Sequence, residues 1–102
     1  MNTNGMMESI SILTTLLPIL RDKLHITQLE LANCIGISRQ SLIEIEHKNR
    51  KLARPVLISL ISYFSMREVT AQIMYENGLY DVIFVIELGF TRVKMEKLYD
   101  WR

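Results

Sequence analysis

The sequence predicts a mainly α-helical protein: a bundle of five short helices at residues 15–77, then a C-terminal extension of one strand and one helix. A length of 102 residues indicates one small domain. A hydrophobic content of 49% excludes a disordered chain. Helix-start and helix-stop signals recur along the bundle. We assign residues 1–78 to the helical domain, with an N-terminal tail at 1–7, and residues 79–102 to the extension.

Helix 1 is expected from about Thr15 to Leu24. This placement puts Pro18 in the first turn, where a missing N–H leaves no helical hydrogen bond unmade. Upstream, residues 8–13 alternate polar and apolar side chains, which favours a short strand. A longer helix through residues 6–16 is the competing interpretation.

Residues 27–50 predict two short helices joined by a tight turn. Thr27 and Glu30 have the spacing of a capping box at the start of helix 2. Gly36 can take the positive φ that ends a helix. Ser38 is a favoured N-cap for helix 3. Together these signals predict a helix-turn-helix.

Helix 3 has one apolar and one polar side. Leu42 and Ile45 are expected to point back toward helix 2. The opposite, solvated side carries the polar residues Arg39, Gln40, Ser41 and Glu44. A polar outer face on the second helix of a helix-turn-helix is typical of a surface that reads DNA.

Helices 4 and 5 have their own boundary signals. Pro55 occupies a favoured first-turn position for helix 4. Ser65 and Glu68 predict a second capping box, at the start of helix 5. The pair Asn77-Gly78 predicts the end of helix 5 through a left-handed glycine.

The run TQLELANCIGISRQSLIEIE resembles the helix-turn-helix of the Xre/Cro family of phage and bacterial repressors, the lambda-repressor-like fold. The resemblance covers roughly Leu13 to Met74. The family's motif positions are occupied here by Gln28, Leu31-Ala32, Gly36-Ile37-Ser38 and Ile45-Glu46. It implies a structural ion pair between Arg21 and Glu46. Where the family often has a glycine shortly after this glutamate, this chain has His47-Lys48-Asn49.

The resemblance also implies which residues contact DNA. Arg39 suits the O6 and N7 atoms of guanine, and Gln40 suits the N6 and N7 atoms of adenine. Ser41 can contact a base or a phosphate. Glu44 either accepts from cytosine N4 or holds Arg39 in place. Contacts with phosphates are expected from Gln28, Ser38, His47, Lys48, Asn49, Arg50, Lys51 and Arg54.

The charge distribution agrees with a local nucleic-acid surface. The formal net charge is only +1, so there is no basic field over the whole molecule. Residues 39–54 nevertheless sum to +3, whereas residues 1–38 and 55–102 each sum to −1. The excess positive charge therefore lies beside helix 3.

The extension has the pattern of a strand. Every even position from 80 to 90 is apolar, and β-branched residues are frequent. An exposed strand needs a partner, either residues 8–13 or the equivalent strand of a second subunit. Thr91 is a candidate cap for a last helix that reaches Trp101. The residues expected to support dimerisation are Tyr80, Val82, Phe84, Ile86 and Leu88.

Other classes of function find little support in the sequence. A single cysteine, Cys34, excludes an internal disulfide and fits a reducing cytoplasm. No Cys/His spacing predicts a metal site, and no nucleophile or phosphate-loop motif predicts an enzyme or a cofactor. We see no signal peptide and no transmembrane segment.

We therefore expect a cytoplasmic transcription regulator that binds double-stranded DNA as a homodimer. Residues 38–47 would read an inverted-repeat operator, and repression is favoured over activation. The alternative is an antitoxin or antirepressor-like adaptor, whose residues 79–102 would bind a protein partner. The apolar pattern of those residues motivates the alternative.

Overall fold

A computed structural model describes the backbone of residues 3–80 and the side chains from residue 7 onward. The predicted mainly α-helical fold is confirmed for these residues, which contain no strand. The expected strand residues Val82, Phe84, Ile86 and Leu88 and the expected last helix lie outside the described residues. The helices are α1 (Thr3–Leu24), α2 (Gln28–Ile35), α3 (Arg39–Glu46), α4 (Arg54–Ser65) and α5 (Glu68–Glu76).

The first helix is much longer than predicted. The expected strand at residues 8–13 is wrong, and the competing helical interpretation is correct, because α1 is continuous from Thr3. The expected tail at residues 1–7 is helical from the same residue. The physical reason is a row of apolar residues at helical spacing, which the alternation within residues 8–13 concealed. Side chains spaced three and four residues apart line the core: Ile10, Leu13, Leu17, Leu20 and Leu24.

Pro18 lies inside α1 rather than in its first turn. The prediction was wrong because packing outweighs the local cost. An interior proline costs a helix about 3 kcal/mol, since it removes one hydrogen bond and crowds the preceding turn. Leu13, Leu17 and Leu20 are all fully buried around it. Burying one such side chain contributes about 1.5–3 kcal/mol, so three of them exceed the cost of the proline.

The five helices close into a ring around one core. α1 packs against α3 and α5, α2 packs against α3 and α4, and α4 packs against α5. α3 is therefore held between α1 and α2. The largest fully buried side chains belong to Phe64, Leu13, Leu17, Leu20, Leu31, Leu42, Leu60, Ile61, Met74 and Leu79.

The corner between α4 and α5 differs from the prediction. Pro55 does lie in the first turn of α4. Ser65 does not cap α5: it is the last residue of α4 and is 2% exposed. The residue before α5 is Arg67, which makes no side-chain cap bond. Instead, the Thr70 hydroxyl donates to the Phe64 carbonyl over 2.7 Å, so α4 and α5 are joined by a buried hydrogen bond that no capping pattern signals.

The chain after α5 returns to the core. Gly78 has a φ of 79° and ends the helix as predicted, and the Leu79 N–H donates to the Met74 carbonyl over 3.0 Å. Leu79 is fully buried, and Tyr80 is 6% exposed with its hydroxyl hydrogen-bonded to that of Ser65. The Tyr80 side chain, which was expected to support dimerisation, therefore packs in the core of its own chain.

Among residues 3–80, even the 22-residue α1 lacks the apolar run that crossing a membrane requires.

Candidate nucleic-acid interface

The candidate interface begins with the turn between α2 and α3, which forms as predicted. The Glu30 N–H donates to Thr27 Oγ1 over 3.0 Å, and the Thr27 N–H donates to Glu30 Oε1 over 2.8 Å. Gly36 has a φ of 78°, and its N–H donates to the Ala32 carbonyl. The hydroxyl of Ser38 accepts from the Ser41 N–H over 3.0 Å. Each cap satisfies backbone groups that a helix end leaves unpaired, so both helix boundaries are well defined.

The orientation of α3 follows from its two apolar side chains. Leu42 is fully buried and Ile45 is 3% exposed. The opposite side of the helix presents Arg39 and Gln40 to solvent, with Glu44 half-buried beside them. The predicted polar outer face is therefore accessible to solvent.

Ser41 is less available than the sequence suggests. It is half-buried, and its hydroxyl accepts a hydrogen bond from the Ser38 hydroxyl over 2.9 Å. Both serines thus take part in the N-terminal cap of α3. If Ser38 and Ser41 contact DNA as expected, the same hydroxyls must also make the hydrogen bonds of the cap.

A partly buried network anchors the inner side of α3. Glu46 accepts from Arg21 Nε over 2.8 Å at Oε2 and from Arg21 Nη2 over 3.0 Å at Oε1. Gln28 Nε2 donates to the same carboxylate over 3.0 Å. Three helices therefore meet at one carboxylate, and the ion pair implied by the resemblance is formed.

Gln28 extends this network to the outer face. Because its amide nitrogen donates to Glu46, its amide oxygen is turned away and accepts from Arg39 Nη2 over 3.5 Å. This last contact is long, so it orients Arg39 weakly. The Gln28 amide, which was expected to contact a phosphate, is therefore hydrogen-bonded to Glu46 through its nitrogen.

Glu44 binds different partners from those expected. It does not hold Arg39. Its Oε1 accepts from Arg50 Nε over 2.8 Å and lies 2.7 Å from Arg50 Nη2. Its Oε2 accepts from Gln40 Nε2 over 3.4 Å. The Arg50 guanidinium, and after it Gln40, holds the pKa of Glu44 below its ordinary value of 4.5, so the carboxylate is ionised near neutral pH.

The basic segment, residues 47–54, follows α3 and turns sharply at Lys48. Lys48 has a φ of 62°, in the left-handed region. The Asn49 N–H donates to the Glu44 carbonyl over 2.8 Å. The side chains of this segment are exposed: His47, Lys48, Asn49, Arg50, Lys51 and Arg54. The positive charge predicted beside α3 therefore lies at the surface.

Sequence reasoning missed one residue that contacts this segment. Lys48 Nζ donates to Ser11 Oγ over 3.0 Å, which links the segment to α1. The incorrect strand at residues 8–13 concealed this contact. A helical reading of the same residues would have shown that Ser11 lies on the exposed side of α1.

The residues that the structure describes provide no metal centre. No group of three or more His, Cys, Asp or Glu side chains among them could hold an ion. Cys34 is an exposed cysteine on α2 that forms no disulfide within the chain.

Comparisons with protein-family models, with curated proteins and with solved structures found no match.

Proposed function

We propose that the chain is a sequence-specific regulator of transcription that binds double-stranded DNA through α3, in the manner of the Xre/Cro family that its motif resembles. The observation that carries the proposal is the exposed polar side of α3. The opposite side of this helix packs into the core through Leu42 and Ile45. Residues at the N-terminal end of such a helix reach base edges in the major groove.

Arg39 and Gln40 are the proposed base-reading residues. Both are exposed at the start of α3. A guanidinium can donate two hydrogen bonds to guanine, and a carboxamide can donate and accept on adenine. The network from Glu46 through Gln28 supports this role, because the Gln28 amide oxygen lies 3.5 Å from Arg39 Nη2 and weakly orients its guanidinium.

Local electrostatics support the proposal as well. α3 carries two glutamates, which would repel phosphates if they were free. Glu46 is paired with Arg21 and Glu44 with Arg50. With both carboxylates compensated, the cations around α3 dominate its field, and phosphate contacts by Lys48 and Lys51 would set the position of the protein without reading sequence.

The proposed active form is a homodimer on an inverted repeat. Two α3 helices would enter successive major grooves about 34 Å apart, and occupation of a promoter would block polymerase. We assign dimerisation to the apolar positions Val82, Phe84, Ile86 and Leu88. The alternative of an adaptor for a protein partner depends on the same segment, and no described residue favours it.

Selection of bound sites from a random DNA pool tests the proposal. The wild-type chain should recover sites with two symmetric halves. Arg39→Ala should recover sites in which one position per half is relaxed. Arg67→Ala is a matched control, because it removes an exposed arginine at the α4–α5 corner and should leave the recovered sites unchanged. Recovery of unrelated sequences by the wild type would refute the proposal.

A further inference from the structure

Arg50 lies against α3 rather than away from it. Its Nε and Nη2 both contact the same oxygen of Glu44, at 2.8 and 2.7 Å. The other oxygen of Glu44 accepts from Gln40, a proposed base-reading residue. Gln40, Glu44 and Arg50 therefore form one continuous polar cluster on the exposed side of α3.

The backbone after α3 holds Arg50 in this place. The Lys48 N–H donates to the Ile45 carbonyl over 3.0 Å, and the Asn49 N–H donates to the Glu44 carbonyl over 2.8 Å. The left-handed φ of 62° at Lys48 reverses the chain between these two bonds. The Arg50 side chain therefore reaches back to α3, where it pairs with Glu44, six residues earlier in the chain.

The contact with Glu44 leaves part of the guanidinium available. A guanidinium carries more N–H donors than the two that Glu44 engages. The Arg50 side chain is 51% exposed. A planar guanidinium held by a carboxylate on one edge can still present a fork of two N–H groups on another, and this fork matches guanine O6 and N7.

We propose that Arg50 contacts a guanine in the major groove, and that Glu44 is a positioning residue that holds its guanidinium beside Gln40. This inference rests on the proposed function. On this proposal Arg50 contacts a base, whereas the sequence analysis expected it to contact a phosphate. Glu44 then contacts no base.

The net charge of the pair separates this role from a phosphate contact. Glu44 and Arg50 together carry no net charge, so a pair that stays intact on DNA adds little to the release of counterions. A cation that neutralises one phosphate changes the slope of log affinity against log salt by about 0.9. Lys51, an exposed cation of the same segment, is the matched comparison.

The test is a base-substitution scan of the selected operator with the wild type, Arg50→Lys, Glu44→Ala and Lys51→Met. Arg50→Lys keeps the charge but loses the fork, so discrimination should fall about tenfold at one G·C position per half site. Glu44→Ala should relax that same position and should raise the affinity for scrambled DNA, because a carboxylate is removed. Lys51→Met should weaken binding to all sequences and should reduce the salt slope by about one.

Three results would overturn the inference. Uniform weakening by Arg50→Lys, with discrimination intact at every position, would assign Arg50 to a phosphate. Loss of discrimination by Glu44→Ala at a different position would assign Glu44 its own base. Equal binding of operator and scrambled DNA by the wild type would refute the proposed function and, with it, this inference. The unfolding midpoint of each variant, measured alongside, should stay close to that of the wild type, because an exposed ion pair such as Glu44–Arg50 contributes only a little to stability.

Discussion

The guanidinium of Arg21 lies edge to edge with the carboxylate of Glu46, with Nε 2.8 Å from Oε2 and Nη2 3.0 Å from Oε1. The two side chains are 17% and 4% exposed, so the glutamate is the more deeply buried partner. The pair joins the C-terminal part of α1 to the last residue of α3. It thereby fixes the position of α3 on the side opposite to the proposed DNA contact.

Removing Arg21 should destabilise the fold strongly. Arg21→Met leaves the Glu46 carboxylate buried, with Gln28 as its remaining donor among the side chains that the structure describes, and should lower the free energy of unfolding by about 3 kcal/mol. Urea denaturation measures this change. The double variant Arg21→Met/Glu46→Met should recover much of the loss, since no buried charge then remains. A single-variant effect below about 0.5 kcal/mol, the size expected for a surface pair, would contradict the structural role.

The left-handed residue Lys48 should respond to glycine. A non-glycine residue with φ near 62° is strained by about 1 kcal/mol relative to glycine. Lys48→Gly should therefore raise the free energy of unfolding by up to about 1 kcal/mol, less the small contribution of the Ser11 hydrogen bond. Lys48→Met is the control, because it removes that bond and retains the strain, and it should be neutral or slightly destabilising. Thermal unfolding of both variants decides the point.

The buried hydroxyls of Ser65 and Tyr80 should be energetically coupled. Tyr80→Phe leaves the Ser65 hydroxyl without this partner at a site that is 2% exposed, so it should cost about 1–2 kcal/mol. The double variant Ser65→Ala/Tyr80→Phe should cost less than the sum of the two single variants. Strict additivity in urea denaturation would show that the two hydroxyls do not interact.

Titration should reveal the contact between Glu44 and Arg50. Because the folded pKa of Glu44 is lowered, its pair contributes stability above the unfolded pKa, and that contribution is lost as the pH falls through the folded pKa. Arg50→Ala should shift the Glu44 pKa back up toward 4.5. Carboxyl carbon shifts followed by nuclear magnetic resonance measure it directly. An unchanged titration curve in Arg50→Ala would mean that the pair does not persist in solution.

The features that sequence reasoning predicted correctly are local or are carried by the motif. The caps at Thr27 and Ser38 and the turn at Gly36 each depend on residues within four positions, so their signals are complete in a short window. The ion pair of Arg21 with Glu46 spans 25 positions and followed from the resemblance, since no spacing rule connects two separate helices.

The errors arose where tertiary packing decided the structure. A six-residue alternation at 8–13 fits a strand, but the leucine stripe that continues beyond it makes the segment helical. Pro18 and Ser65 were assigned by local preference, and burial overrode both. The contact of Glu44 with Arg50 depends on the reversed backbone at Lys48, and a left-handed lysine has no signal in the sequence.

The most direct test of the account compares the affinity of the wild-type chain for its selected operator with that for a scrambled duplex of equal length, at one salt concentration. The account predicts that the operator binds at least roughly a thousandfold more tightly. It also predicts that Arg39→Ala loses about 1–3 kcal/mol of discrimination at one base pair, with the fold intact. Equal affinity of the wild type for both duplexes would contradict the claim that α3 reads DNA sequence.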